Sequence, residues 1–169
     1  MRRPAKTTLL ASIIVIGLCS AAVVMTGVLI AVARSSQTTL ATPLSIYPVA
    51  GATSGRTCQQ VGVAGFDGPE PACYQINEEG LKVTKVGDVK VKRLPDDTFG
   101  LSVQLIGADK KKFGEITRSN LQKQLALVVN GRVVTAPKVD SPITGGGLLI
   151  TGQFTRPAAD KLAHDLTGT

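Results

Sequence analysis

Apolar and polar residues begin to alternate at Leu81, and patterned segments follow one another to the end of the chain. Leu81 and Val83 alternate with Lys82 and Thr84, and Val89 and Val91 with Lys90 and Lys92. Phe99, Leu101, Val103 and Leu105 alternate with Gly100, Ser102 and Gln104. A period of two predicts strands with one buried and one wet face. Pro95-Asp96-Asp97 supplies turn chemistry between the second run and the third. The period then changes. From Asp109 to Leu121 the spacing predicts a helix, with Phe113, Ile116 and Leu121 on one side and Asp109 as N-cap. Lys110, Lys111 and Lys112 in its first turn oppose the helix dipole, a cost of about half a kcal/mol. Two apolar runs, Gln124 to Val129 and Arg132 to Ala136, flank Asn130-Gly131, the strongest short-range signal for a hairpin. Gly145 to Gly147 make a tight turn into a last strand, Leu148 to Thr151. Thr155 caps a closing helix through Leu166, with Ala159, Leu162, Ala163 and Leu166 at helical spacing. The order strands, helix, strands, helix predicts an α+β domain over residues 74–169. It would have two layers, a mostly antiparallel sheet with two helices on one face.

The chain before Tyr74 reads differently. Thr7 to Ala33 contains no ionisable side chain except the Cys19 thiol, and the run is long enough to cross a bilayer as one transmembrane helix. Arg2, Arg3 and Lys6 precede it, which predicts a cytoplasmic N-terminus and an extracytoplasmic remainder. A cleaved signal peptide ending at Ala31-Val32-Ala33 is one alternative, although the run exceeds the usual signal core. Lipidation of Cys19 is another, disfavoured by Leu18 before it. All three put the C-terminal domain outside the cytoplasm. Residues 1–34 are thus an anchor. Residues 35–73 form a second region, in which Ser35 to Thr57 is rich in Ser, Thr, Gly and Pro and reads as a flexible tether.

Charge narrows the possibilities. Of 19 Lys and Arg, four (Arg2, Arg3, Lys6, Arg34) flank the membrane segment, which leaves 15 against 12 acidic residues. Apart from Lys110 to Lys112 there is no basic cluster, so no nucleic-acid partner is expected. Cys58 and Cys73 fall in a Gly- and Pro-rich loop on the exported side, where a disulfide is the default pairing. Closing that loop would stabilise by about 3 kcal/mol on the entropic account. Metal binding is the alternative, but one thiol pair without a nearby histidine is a poor zinc set. His164 is the single histidine, with no nucleophile or orienting partner beside it, and reads as a solvated helix residue. Glu78-Glu79 and Asp96-Asp97 read as solvating charge in turns. Gly145 to Gly147 lack the Lys-Ser/Thr of a phosphate loop. No catalytic constellation, metal site or cofactor is expected, and the chain does not read as an enzyme.

An ordered set of short motifs carries a resemblance. Gly107-Ala108, Phe113 and Ile116-Thr117 are followed by Leu125 to Val129, Asn130-Gly131 and Val134-Thr135-Ala136-Pro137-Lys138-Val139. Ile143, Gly146, Ile150-Thr151-Gly152-Gln153-Phe154-Thr155, Ala159 and Leu162-Ala163 complete it. The set resembles the head subdomain in the first large external loop of SecD and SecDF protein-export proteins. The resemblance implies an SecDF P1-head-like fold and contact with exported polypeptides or the Sec translocon. One membrane segment without a carboxylate or arginine does not fit a proton relay, so the expectation is a head module on a single-pass anchor in the cell membrane, accessory to export. A second reading is an envelope-associated interaction or structural protein that reuses the head fold for another partner, since fold does not carry function. In either case the partner is a polypeptide or membrane protein. Strand addition at an exposed sheet edge or at the hairpin near Arg132 is the expected mode, with Arg132, Thr144 and Gln153 as candidate contact positions.

Overall fold

In a computed structural model the described residues are 37–55, 58, 63–66, 71–76 and 79–169. The apolar run over residues 7–33, with the anchor, signal and lipidation expectations placed on it, lies outside them, as does Glu78. Among the described residues no helix is long and apolar enough to cross a membrane.

The elements run β1 (Thr38–Ser54), β2 (Val63–Phe66), β3 (Ala72–Ile76), β4 (Leu81–Arg93), β5 (Phe99–Leu105), α1 (Gly107–Ser119), β6 (Leu125–Val129), β7 (Arg132–Thr135), β8 (Gly147–Phe154) and α2 (Arg156–Thr167). Every described strand pairing is antiparallel. The strand order is β2-β3-β1-β4-β5-β8, and β6 joins β1 to β7. Class and architecture are therefore α+β, with an antiparallel sheet and two helices, as the periodicity predicts.

The largest correction concerns the predicted tether. Residues 38–54 are not a flexible linker but a 17-residue strand that pairs with β3, β4 and β6. Leu40, Leu44 and Ile46 project from it into the core. The compact unit accordingly spans Ser36–Thr169, and β1 and β3 belong to it. A second correction joins two predicted strands. Leu81–Arg93 is one strand, and a register shift between Val86 and Asp88 absorbs the break in alternation.

One set of alternating strand residues, among them Leu44, Ile46, Val83, Leu101, Val103, Leu127 and Ile150, packs with Phe113 and Ile116 of α1 and with Ala159, Leu162 and Leu166 of α2. A smaller cluster forms on the opposite side of β6, where Ala126 and Val128 meet Val133, Tyr47, Val49, Tyr74 and Ile76. All five residues of β6 are buried for that reason, and its sequence LALVV carries no alternation. Cys73 of β3 is buried and forms a disulfide with Cys58, Cα atoms 5.5 Å apart. The predicted pairing is thus the one the structure contains.

Local chemistry explains the ends of the elements. Asn130 (φ 53°) and Gly131 (φ 73°) form the expected tight turn between β6 and β7. Thr155 caps α2 by accepting a hydrogen bond from the Ala158 N–H, and Gly168 closes the helix in the left-handed conformation. The start of α1 differs from the sequence expectation. Gly107 (φ 56°) turns the chain so that the Lys110 N–H reaches the Ile106 carbonyl, and Asp109 falls in the first turn rather than at the cap. The helix ends at Ser119, where the Asn120 side chain donates to the Ile116 carbonyl; Leu121 lies beyond it and is exposed, not on its apolar face. In the β4–β5 turn Asp96 accepts hydrogen bonds from the hydroxyl and the N–H of Thr98, which hold its carboxyl below the usual carboxylate range.

Candidate functional site at the free edge of the sheet

Among the described residues β8 pairs with β5 alone, so one of its edges has no partner strand. A groove of about 460 Å³ runs along that edge. Its floor is the core itself: Phe113 and Leu127 are each 1% exposed, and Leu125, Val139 and Leu148 are buried around them. Ile143 stands at the wall, and Lys138, Asp140, Ser141 and Leu149 form the rim. The alternation of β8 builds this shape. Leu148 and Ile150 point into the core, while Leu149 between them is 47% exposed. Few large apolar side chains on the described surface are exposed in this way.

The far wall is the segment that follows β7. It stays beside β6 through residue 139, because the Leu125 N–H donates to the Pro137 carbonyl and the Val139 N–H to the Lys123 carbonyl. It then crosses to β8, where Gly146 (φ 76°) lies so close to the Leu105 carbonyl that a side chain would collide with it. Between these points one side chain fastens the loop. Thr117 of α1 is fully buried; its hydroxyl donates to the Gly114 carbonyl at 3.1 Å and accepts the Ile143 N–H at 3.0 Å. Thr117→Val keeps the volume but leaves the Ile143 N–H without its acceptor, a loss of roughly 1–3 kcal/mol. Urea unfolding together with amide exchange at Ile143 checks this; an unchanged midpoint and an equally slow Ile143 amide would refute it.

A larger cleft of about 580 Å³ lies between α1 and the start of β4. Glu79, Lys112, Glu115, Ser119 and Asn120 line it, with Ile116 and Pro48, so its surface mixes polar and apolar groups and charges of both signs. The groove at β8 is the better-formed apolar site. Groups of three His, Cys, Asp or Glu side chains able to hold a metal ion are absent among the described residues. His164 is exposed on α2, beside the Lys161–Asp165 ion pair at 2.7 Å.

The three candidate contact positions are exposed but not gathered into one patch. Arg132 opens β7 at the hairpin tip, and Gln153 lies near the end of β8. Thr144 sits in the loop before β8, beside Lys110, Lys111 and Arg118 of α1. Thr144 and Gln153 bracket β8, whose eight residues span about 26 Å. The groove lies between these two positions, and Leu149, its exposed residue, was not among the sequence candidates. The signal was present in Leu148-Leu149-Ile150, where three aliphatic residues in a row leave one on the wet face.

Comparison with known proteins settles the family. The family model described as SecDF, P1 head subdomain, matches residues 72–169. The chain belongs to the SecDF P1 head family. Protein translocase subunit SecD of Acidaminococcus fermentans is 36% identical over 88 residues, covering 50% of this chain and 21% of the relative. Protein translocase subunit SecDF of Thermus thermophilus is 33% identical over 123 residues, covering 67% of this chain and 17% of the relative. The chain therefore spans about a fifth of the length of the curated relatives it matches. A solved structure of SecDF, described as a membrane component that enhances protein export, superposes with a TM-score of 0.51 at 22% identity. That superposition covers 76% of this chain and 62% of the other, and it shows the shared P1 head fold. The Thermus alignment is longer than the family match, in keeping with a head domain that starts before residue 72.

Proposed function

We propose that this protein is a membrane-anchored head module that stands outside the cytoplasm and assists protein export by contacting exported polypeptides or the translocon. The observation that carries the reading is the P1 head match over residues 72–169, in a chain whose relatives are translocase subunits. The apolar run over residues 7–33, with basic residues before it, supports a single-pass anchor with its N-terminus in the cytoplasm. The groove and free edge supply a binding surface of the kind that strand addition uses. Arg132, Thr144 and Gln153 remain the positions from which to look for the partner, because they border the hairpin and both ends of β8.

Photo-crosslinking in membranes tests the proposal, with a probe at each of these three positions in turn and products read by mass spectrometry. Crosslinks to translocon subunits or to chains in transit are the expected result. Crosslinks dominated by one unrelated envelope protein, with none to the translocon, would mean that the head fold serves another partner.

A further inference from the structure

We propose that the free edge of β8 takes up one extended, uncharged, aliphatic polypeptide segment as an added strand, with a side chain of that segment seated in the groove over Phe113 and Leu127. The inference rests on the export reading for its biological setting, but its chemistry comes from the edge.

The hydrogen-bond phase of β8 decides which backbone groups are on offer. Leu105 donates its N–H to the Gly146 carbonyl at 2.8 Å, and the register continues as Gln104↔Gly147, Val103↔Leu148, Ser102↔Leu149 and Leu101↔Ile150. In an antiparallel pair, residues alternate between bonding the neighbour and facing away from it. Leu148 and Ile150 therefore bond β5, and the N–H and C=O groups of Gly147 and Leu149 point out from the edge. This stretch is regular, because the register shift of β8 lies beyond Ile150. Natural edge strands are usually blunted by lysine, proline or a bulge. From Gly145 to Thr155 there is no charged residue and no proline. Residues 147–150 therefore offer about 13 Å of open, unguarded edge.

The groove then selects the occupant. Its floor is aliphatic and aromatic, so it takes an apolar side chain. Lys138 and Asp140 at the rim carry opposite charges, which gives no preference for a charged segment. Residues 137–141 and residues 147–149 both line the groove. Main-chain bonds along so short an edge carry little sequence information, so the site takes many different segments.

The test uses the full chain in lipid nanodiscs and a short fluorescein-labelled peptide of alternating threonine and valine with a central leucine, read by anisotropy. Two further peptides are N-methylated at alternate amides, in the two possible phases. One phase binds about tenfold more weakly and the other within about twofold of the parent, because only one set of amides faces the edge. Leu149→Pro removes the outward N–H without touching a bond to β5 and weakens binding about tenfold, whereas Leu149→Thr, which keeps the N–H, loses less. Equal binding of both methylated peptides, or undiminished binding to Leu149→Pro, overturns strand addition. So does a dimer, seen by light scattering, that excludes the peptide. If the parent peptide does not bind while crosslinks to exported chains persist, the edge proposal falls and the export reading stands. If the edge behaves as described but crosslinks find no exported chain or translocon, the export reading falls and the edge chemistry stands.

Discussion

The chain trimmed to residues 36–169 unfolds cooperatively, and the piece trimmed to residues 71–169 does not fold. The second piece contains the whole family match, yet it lacks β1. Without that strand β4 loses its partner over residues 81–86, β6 loses its partner along one edge, and β3 has no path to the rest of the sheet. The core also loses Leu40, Leu44 and Ile46, each worth about 1.5–3 kcal/mol when fully buried. The whole stability of a domain this size is about 5–15 kcal/mol, so the loss is not survivable. Thermal melts by circular dichroism, with proton NMR dispersion, compare the two pieces directly. A cooperative transition in the shorter one would show that β1 is dispensable.

Replacement of Phe113 by alanine lowers stability by roughly 3–5 kcal/mol, the range for removing a large aromatic from a core that cannot collapse around the gap. Phe113 is the largest fully buried side chain in the described structure and holds α1 against the sheet. It is also the floor of the groove, so the substitution opens the site into the core. Ile116→Val, one turn further along α1, removes a single methyl group and costs only about 0.5–1.5 kcal/mol. Denaturant unfolding of the two variants separates a core role from a general weakness of the helix. A Phe113→Ala loss no larger than that of Ile116→Val would mean that α1 contributes little to the core.

The elements that were legible in the sequence share a property: their local chemistry agrees with their tertiary surroundings. The alternation from Phe99 to Leu105, the Asn130-Gly131 turn and the Thr155 cap each specify a structure that the fold then uses. β1 was illegible because its irregularities look like loop composition. Pro43 falls where the β1–β4 register shifts between Thr39 and Leu44. Pro48 falls between the end of the β4 pairing at Ile46 and the start of the β3 pairing at Val49. Pro43 sits where the ladder to β4 shifts, and Pro48, which stays paired with Leu125 of β6, falls in the gap between β4 and β3 on its other side, places where a strand tolerates proline. Leu40, Leu44 and Ile46 keep a period of two, but Thr42 stands where a further apolar residue would have made it visible. The groove was partly legible. Its aliphatic residues read as core, but that two segments distant in sequence, 137–141 and 147–149, leave a gap between them depends on the Thr117 hydroxyl and on the turn at Gly146. The hairpin near Arg132 was more conspicuous in the sequence than the edge beside Leu149.

The pairing of β1 has a consequence for the order in which this chain can mature. Ser45 pairs with Val128, and Ile46 with Leu127, so β1 waits for a strand that lies far along the chain from it. Contacts that distant close slowly, because a long loop must be ordered before they form. Until residues 125–129 exist, β1 is an apolar strand with one edge unfilled, and no native domain can be complete. The head therefore closes only once β6 has been made, and until then β1 stays open to other partners along the edge that β6 later fills.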